Sequence, residues 1–319
     1  MDSNISDLTN VEKANQNYIT GLEFLQTSCI KCRFTPCYLD AIPYFKKAAD
    51  TYHGCGNFEK EITTREKLAK CFNSCKSFWE EGNEYEKICK TQLNQLKSPS
   101  DAYNSIINSF HAYACNRSYD DGIKALTKSS NDFFESGNKE EAIKILEFAF
   151  QGIDKYYHVL TLNDDESHHY IYECIDKYID LLFSQEEYDK SAEIAKKSLE
   201  LIKKEKKNEK RLICKYYGFQ SIAELLGKKG DNYQDTLQKG REFEENGDEF
   251  CSNINRLINV VKQNNKENEK LIQRLFINIS RKIPSSMLKM LNIKFIKENQ
   301  DGENSTEIKT DKSEEEDLK

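Results

Sequence analysis

Along this chain, apolar residues recur three or four positions apart, the spacing that gathers side chains on one face of an α-helix. The clearest stretch is Asp121 to Ile153. Ile123, Leu126, Ser130, Phe133 and Phe134 form one stripe, Ser136-Gly137-Asn138 interrupts it, and Ala142, Ile145, Leu146, Ala149, Phe150 and Ile153 form the next. Gly137 can take the left-handed backbone that ends many helices. Glu140 and Glu141 then supply carboxylates to the first turn of the second helix, where its dipole favours them. The pattern predicts a helical hairpin. Phe148 lies off the second stripe, and a helix that is apolar on two sides needs neighbours on two sides. One such hairpin implies a stack.

The spacing of these units is regular. Asp101-Ala102, Asp121-Gly122 and Glu141-Ala142 recur at one constant interval. Looser copies are Asp40-Ala41-Ile42 leading to Gly56-Asn57-Phe58, Gly82-Asn83-Glu84-Tyr85, and Glu187-Tyr188-Asp189 before Ala192. One helix per interval makes a hairpin of about 40 residues, the period of helical-repeat proteins in which no single hairpin buries its own core. A non-repeating helical bundle is the alternative.

In chain order, the apolar pattern predicts helices over Val11–Gln26, Cys37–His53, Phe58–Cys75 and Phe78–Leu96, with three more on the same pitch ending near Tyr157. Tyr170–Phe183 pairs with Tyr188–Lys203. Leu212–Leu226, Tyr233–Phe243, Phe250–Gln263, Leu271–Phe276 and Met287–Ile296 follow. The first stripe is Ala14, Tyr18, Leu22 and Leu25; the second is Leu39, Ile42, Phe45, Ala49 and Tyr52. Pro43 falls inside the second, so that helix either starts late or kinks. The repeat fades after about residue 230, where a helical cap should close the array.

The fold class expected is therefore all-α: a TPR-like helical-hairpin solenoid, a twisted sheet of antiparallel helices, ending in a C-terminal helical bundle. Four segments follow from this reading. Residues 1–9 are a flexible N-terminus, 10–230 the solenoid, 231–298 the bundle and 299–319 a disordered acidic tail.

Composition sharpens the picture. Of 319 residues 38% are hydrophobic and 32% charged, with only 4 Pro and 13 Gly, which favours helices over sheet. No apolar run approaches the roughly 20 residues that cross a bilayer, and the opening Met1-Asp2-Ser3-Asn4 is not a signal peptide. A cytoplasmic protein is expected. Asn299 to Lys319 holds eight acids against three lysines, five of the seven net negative charges. The remaining body is nearly neutral, which argues against nucleic acid as a partner. The tail itself has too few apolar residues to pack.

Candidate chemistry is sparse. The chain has no phosphate-binding Gly-rich loop, no H-E-x-x-H and no G-x-S-x-G; no catalytic residue, cofactor or metal is expected, and the chain reads as a non-enzyme. The eleven cysteines are an odd number, and several, such as Cys71, Cys115 and Cys174, fall on helical stripes, which suits buried thiols. Cys29 and Cys32 with Cys37 have zinc-like spacing but lack a fourth ligand nearby. His168-His169 diverge by about 100° on a helix and make a poor chelate. The segment over residues 27–36 alternates apolar Ile30 and Phe34 with basic Lys31 and Arg33. Such a loop can tuck inward as packing or dip into an anionic membrane surface.

Taken together, a short helix, an apolar-basic loop, degenerate TPR-like hairpins, a C-terminal bundle and an acidic tail closing on leucine resemble the soluble NSF attachment proteins. Leu25 to Lys31 and the helix after it are most similar to the gamma branch of that family. Asp101 to Tyr157, Ile279-Ser280-Arg281, Met287 to Lys297, and the ending Glu315-Glu316-Asp317-Leu318-Lys319 are similar to the alpha branch. Phe72 to Lys97 is longer than in the alpha branch, and Lys262 and Gln263 stand where that branch has an acidic pair.

The resemblance implies an adaptor in vesicular transport and membrane fusion. Such an adaptor binds a SNARE complex, a syntaxin-type helical bundle, and recruits and stimulates the AAA ATPase NSF for disassembly. It implies a SNARE-binding face with Lys144, and Lys139 nearby, and an NSF-stimulating tail of Glu314, Glu315, Glu316, Asp317 and Leu318. It also turns the reading of Ile30, Lys31, Arg33 and Phe34 toward membrane attachment, giving a cytoplasmic protein held peripherally on membranes. A generic TPR-like scaffold for short peptides, without NSF, is the competing reading; it wants a compact basic clamp, which the sequence does not display.

Overall fold

A computed structural model describes residues 2–27, 34–161, 169–204, 209–227, 232–245, 248–263 and 268–294. Among them the only regular secondary structure is helical. The chain divides into two compact units, Met1–Cys174 and Ile175–Lys319, with the division inside one helix.

The first unit holds α1 (Asp2–Leu25), α2 (Tyr38–Gly54), α3 (Phe58–Ser74), α4 (Phe78–Asn94), α5 (Pro99–Cys115), α6 (Tyr119–Glu135), α7 (Lys139–Leu160) and the start of α8 (His169–Ser184). From α2 to α7 the helices begin at an almost constant interval, which is the sequence period made physical. From α1 to α7, each helix packs on its neighbours in sequence, and α4 with α6 and α5 with α7 also touch. This is how stacked hairpins bury apolar faces that none could bury alone.

One turn sets the pitch. Gly56, Lys76, Lys97, Arg117 and Gly137, spaced at the same interval, all hold positive φ. After four of them the next amide donates back across the turn: Asn57 to Tyr52, Ser77 to Phe72, Ser118 to Tyr113 and Asn138 to Phe133, each at 2.9 Å. This closing bond and the left-handed residue before it make a Schellman-type helix stop, which reverses the chain into the next helix.

The inner faces follow the predicted stripes with three corrections. Ala41, Phe45, Ala48 and Tyr52 are buried in α2, as are Ile123, Leu126, Ser130 and Phe133 in α6 and Ala142, Ile145, Leu146, Ala149 and Ile153 in α7. Leu39, however, is 72% exposed. It stands about 100° from Tyr38 and about 160° from Ala41 on the wheel, outside the true stripe. Phe134 is exposed because Phe133, its predecessor in the chain, already fills the α6 seam. Cys115, the last residue of α5, is exposed as well. α1 begins at Asp2 rather than Val11, since no Pro or Gly between them stops a helix. α2 runs through Pro43 without starting late; the carbonyl that loses its donor belongs to Leu39, which faces solvent.

Phe148 does find a second neighbour. Its ring meets that of Phe110 of α5 edge-on at 5.3 Å. Phe110 in turn lies over two glycines: a Cβ on Gly122 of α6 would stand 2.8 Å from its ring, and one on Gly152 of α7 3.1 Å. Three successive helices thus meet at one aromatic.

The second unit continues through α8 with α9 (Tyr188–Lys204), α10 (Lys210–Leu226), α11 (Tyr233–Arg241), α12 (Phe250–Lys262), α13 (Glu269–Ser280) and α14, a helix over 285–294. Tyr178, Phe183, Tyr216, Phe219 and Phe250 are its largest fully buried side chains. α14 is tied back at both ends. The Ser286 amide donates to Asp180 at 3.0 Å, and Lys294 Nζ donates to the Leu225 carbonyl at 2.5 Å.

Candidate interaction surface

α7 presents the residues expected to meet a partner. Its buried stripe leaves Glu140, Lys144, Gln151 and Lys155 on the opposite, exposed side, at the i, i+4 and i+7 spacings that line up on a helix. Lys144 is central to that row. Lys139 is exposed too, but it lies about 140° around the helix from Lys144 and at the tip of the α6–α7 hairpin. There its Nζ sits 5.7 Å over the ring of Phe134. The structure therefore separates the two lysines: one serves an exposed helix face, the other a hairpin tip. The same tip exposes Phe134, which gains an attractive cation–π contact in place of burial.

On α6, Lys124 pairs with Asp120 at 3.2 Å and lies 5.0 Å over the ring of Tyr170. Near Lys155, Tyr119 stacks on Tyr156 at 4.1 Å. Lysines, acids and tyrosines thus lie close together on α6, α7 and the start of α8.

The α1–α2 connection carries the other predicted residue. Phe34 is 75% exposed. Ile30, Lys31 and Arg33 lie outside the described residues, as do Cys29 and Cys32 of the zinc-like cluster; Cys37 is half-buried. The tail residues Glu314, Glu315, Glu316, Asp317 and Leu318 are likewise outside them. Packing is thereby answered for Phe34 alone: its ring points to solvent.

Two features escaped the sequence reading. Arg65 of α3 is buried and donates to Glu61 at 2.7 Å, to Glu84 of α4 at 2.9 Å and to Asp50 of α2 at 3.0 Å. Burial works against its charge, but Glu61 and Glu84 more than offset that and raise its pKa. Glu61 also meets His53 at 2.8 Å. The i, i+4 spacing of Glu61 and Arg65 was the available signal, but such pairs are usually surface pairs.

The second feature is a cleft of about 510 Å³ between α12 and α13, lined by Arg256, Arg274, Arg281 and Lys282 against Glu249. These cations are scattered along the sequence from Arg256 to Lys282, so no run of charge announces them.

No protein-family model matches the chain, and comparison with curated proteins likewise yields no match.

Proposed function

We propose that this chain is a non-enzymatic adaptor of the SNARE-disassembly type, binding a helical SNARE bundle and recruiting and stimulating an NSF-type ATPase. The reading rests on the resemblance of its segments to the soluble NSF attachment proteins, and on the stacking of consecutive helices in the first unit. The observation that carries it is the outward-facing Phe34 in the loop after α1. Its exposure leaves the ring free to enter an apolar medium, and with Lys31 and Arg33 just before it in the sequence such an aromatic suits an anionic membrane interface. Lys144 on the exposed row of α7 would steer and hold acidic positions of the bundle. Glu314 to Asp317 would draw the tail to a basic surface of the ATPase, with Leu318 entering an apolar pocket.

The deciding experiment mixes the purified chain with NSF, recombinant SNARE complex and ATP, and follows disassembly. Retention of NSF on the complex and ATP-dependent disassembly are expected. If NSF is neither retained nor stimulated, the assignment fails.

One observation favours a second reading, a scaffold for short acidic peptides: the arginine-lined cleft between α12 and α13. Arginine is well suited to carboxylate recognition. An acidic peptide whose binding is lost on Arg274→Glu, in a protein inert toward NSF, would select that reading.

A further inference from the structure

In the second unit, two thiols and a carboxylate from three separate elements converge. Cys214 of α10 and Cys251 of α12 bring their Sγ atoms to 3.6 Å. Glu244, just after α11, completes the group, and the three ligand-type atoms lie within 4.8 Å of one another. From these residues we propose a tetrahedral site for a zinc-class divalent ion, with Cys214, Cys251 and Glu244 as ligands and water in the fourth position.

The spacing fits. Two thiolates each about 2.3 Å from a tetrahedral ion stand about 3.8 Å apart, close to the separation found here. Both sulfurs are buried and Glu244 is half-buried; three protein ligands and a water is the composition of zinc sites that keep an open position.

The carboxylate is also oriented. Glu244 accepts from the Ser252 amide at 2.6 Å through one oxygen and from the Ser252 hydroxyl at 2.5 Å through the other. Hydrogen bonds of this kind fix a ligating carboxylate and tune the ion it holds. Gly240 makes room: a Cβ there would stand 2.5 Å from Cys251 Sγ. The same two bonds from Ser252 satisfy the first turn of α12, and they hold the carboxylate beside the buried sulfur pair.

An entering dication would displace the two thiol protons to solvent and leave both sulfurs as thiolates.

The test uses the full-length, reduced protein and Co²⁺ as a spectroscopic substitute. One equivalent should give a thiolate-to-cobalt charge-transfer band and tetrahedral visible bands, both removed by Zn²⁺. Cys214→Ser and Cys251→Ser should each abolish the band while the metal-free helical spectrum is kept. Ser252→Ala retains all three ligands and should weaken cobalt binding by about 10–100-fold. Absence of the band in the unaltered protein overturns the site, and so does its persistence in the double cysteine variant. Should the cysteine variants not fold, unchanged affinity in both Ser252→Ala and Glu244→Gln overturns it equally. A Cys214–Cys251 disulfide under mild oxidant, with no cobalt band, makes the pair a redox couple instead.

Discussion

The Arg65 guanidinium of α3 donates to the Glu84 carboxylate of α4 at 2.9 Å, and both side chains are almost wholly removed from water. Glu61 binds the same guanidinium at 2.7 Å, and Lys87 approaches Glu84 at 2.5 Å, so the charges are shared across a network. Removing the cation leaves Glu84 with Lys87 and Glu61 with His53 as their remaining ion-pair partners, each of them partly exposed. Arg65→Met should therefore cost up to about 3–5 kcal/mol, the range for breaking a buried pair on one side. Denaturant titration measures this. A loss below about 1 kcal/mol would mean that water reaches the carboxylates freely.

The repeated turn makes a prediction in two directions. A Cβ at Gly137 would meet nothing within 4 Å, so replacing this residue strains only its left-handed backbone. Gly137→Ala should cost about 1–2 kcal/mol. At the equivalent position Arg117 holds φ 61 with a full side chain. Arg117→Gly should gain up to about 1 kcal/mol, with the added freedom of the unfolded chain taking back part of it. Thermal unfolding should move in opposite directions for the two variants. Shifts of the same sign would show that the turn does not limit stability.

These examples show what the sequence made legible. Helix number and pitch were readable because stripes of Ala, Ile, Leu and Phe alternate with turns at a fixed interval, and both follow from local geometry. Edges of the stripes were less so: Leu39 and Phe134 are apolar and nearly in register, and only the neighbouring helices decide which of two adjacent residues enters the seam. Arg65, Glu61 and Glu84 looked like surface charge, because burial of these ions depends on α3 and α4 meeting face to face. Cys214 and Cys251 come from α10 and α12, separated by all of α11, beyond any spacing rule. For the interaction residues, the sequence pattern placed Lys144 toward solvent, whereas composition left Phe34 between inward packing and exposure, and only the family resemblance turned it outward. It did not foresee that Lys139 would leave the Lys144 face for the hairpin tip.

Glu81 of α4 offers a pH test. Burial raises its pKa, and the hydrogen bond from Asn73 at 2.9 Å only partly opposes this. The native state thus binds this proton more tightly than the unfolded chain, whose glutamates titrate near about 4.3. The native fold is favoured while Glu81 is protonated, and that advantage is lost as pH rises from the unfolded value through the higher native one. Glu81→Gln keeps an acceptor for Asn73 and removes the titration. The difference in stability between the variant and the parent should grow in the variant's favour as pH rises through this window, then level off. A difference that is independent of pH would place Glu81 in contact with water.

The exposed ring of Phe34 gives the prediction closest to function. At 75% exposure it contributes little to the core, so Phe34→Ser should leave the melting temperature within about 1 °C, as surface changes generally shift stability by under about 0.5 kcal/mol. If the loop instead enters a membrane interface, the ring leaves water there, and burial of a phenylalanine contributes about 1.5–3 kcal/mol. Each step of about 1.4 kcal/mol is about a factor of ten in affinity. Phe34→Ser should then weaken binding to vesicles containing phosphatidylserine by about 10–100-fold, with Ile30→Ser deepening the loss. Disassembly of membrane-anchored SNARE complexes should slow while that of soluble complexes is spared. Equal loss on soluble complexes would mean that Phe34 contacts a protein partner. Unchanged vesicle binding with an unchanged melting temperature would remove the membrane role of this loop, and with it the observation on which the adaptor reading chiefly stands.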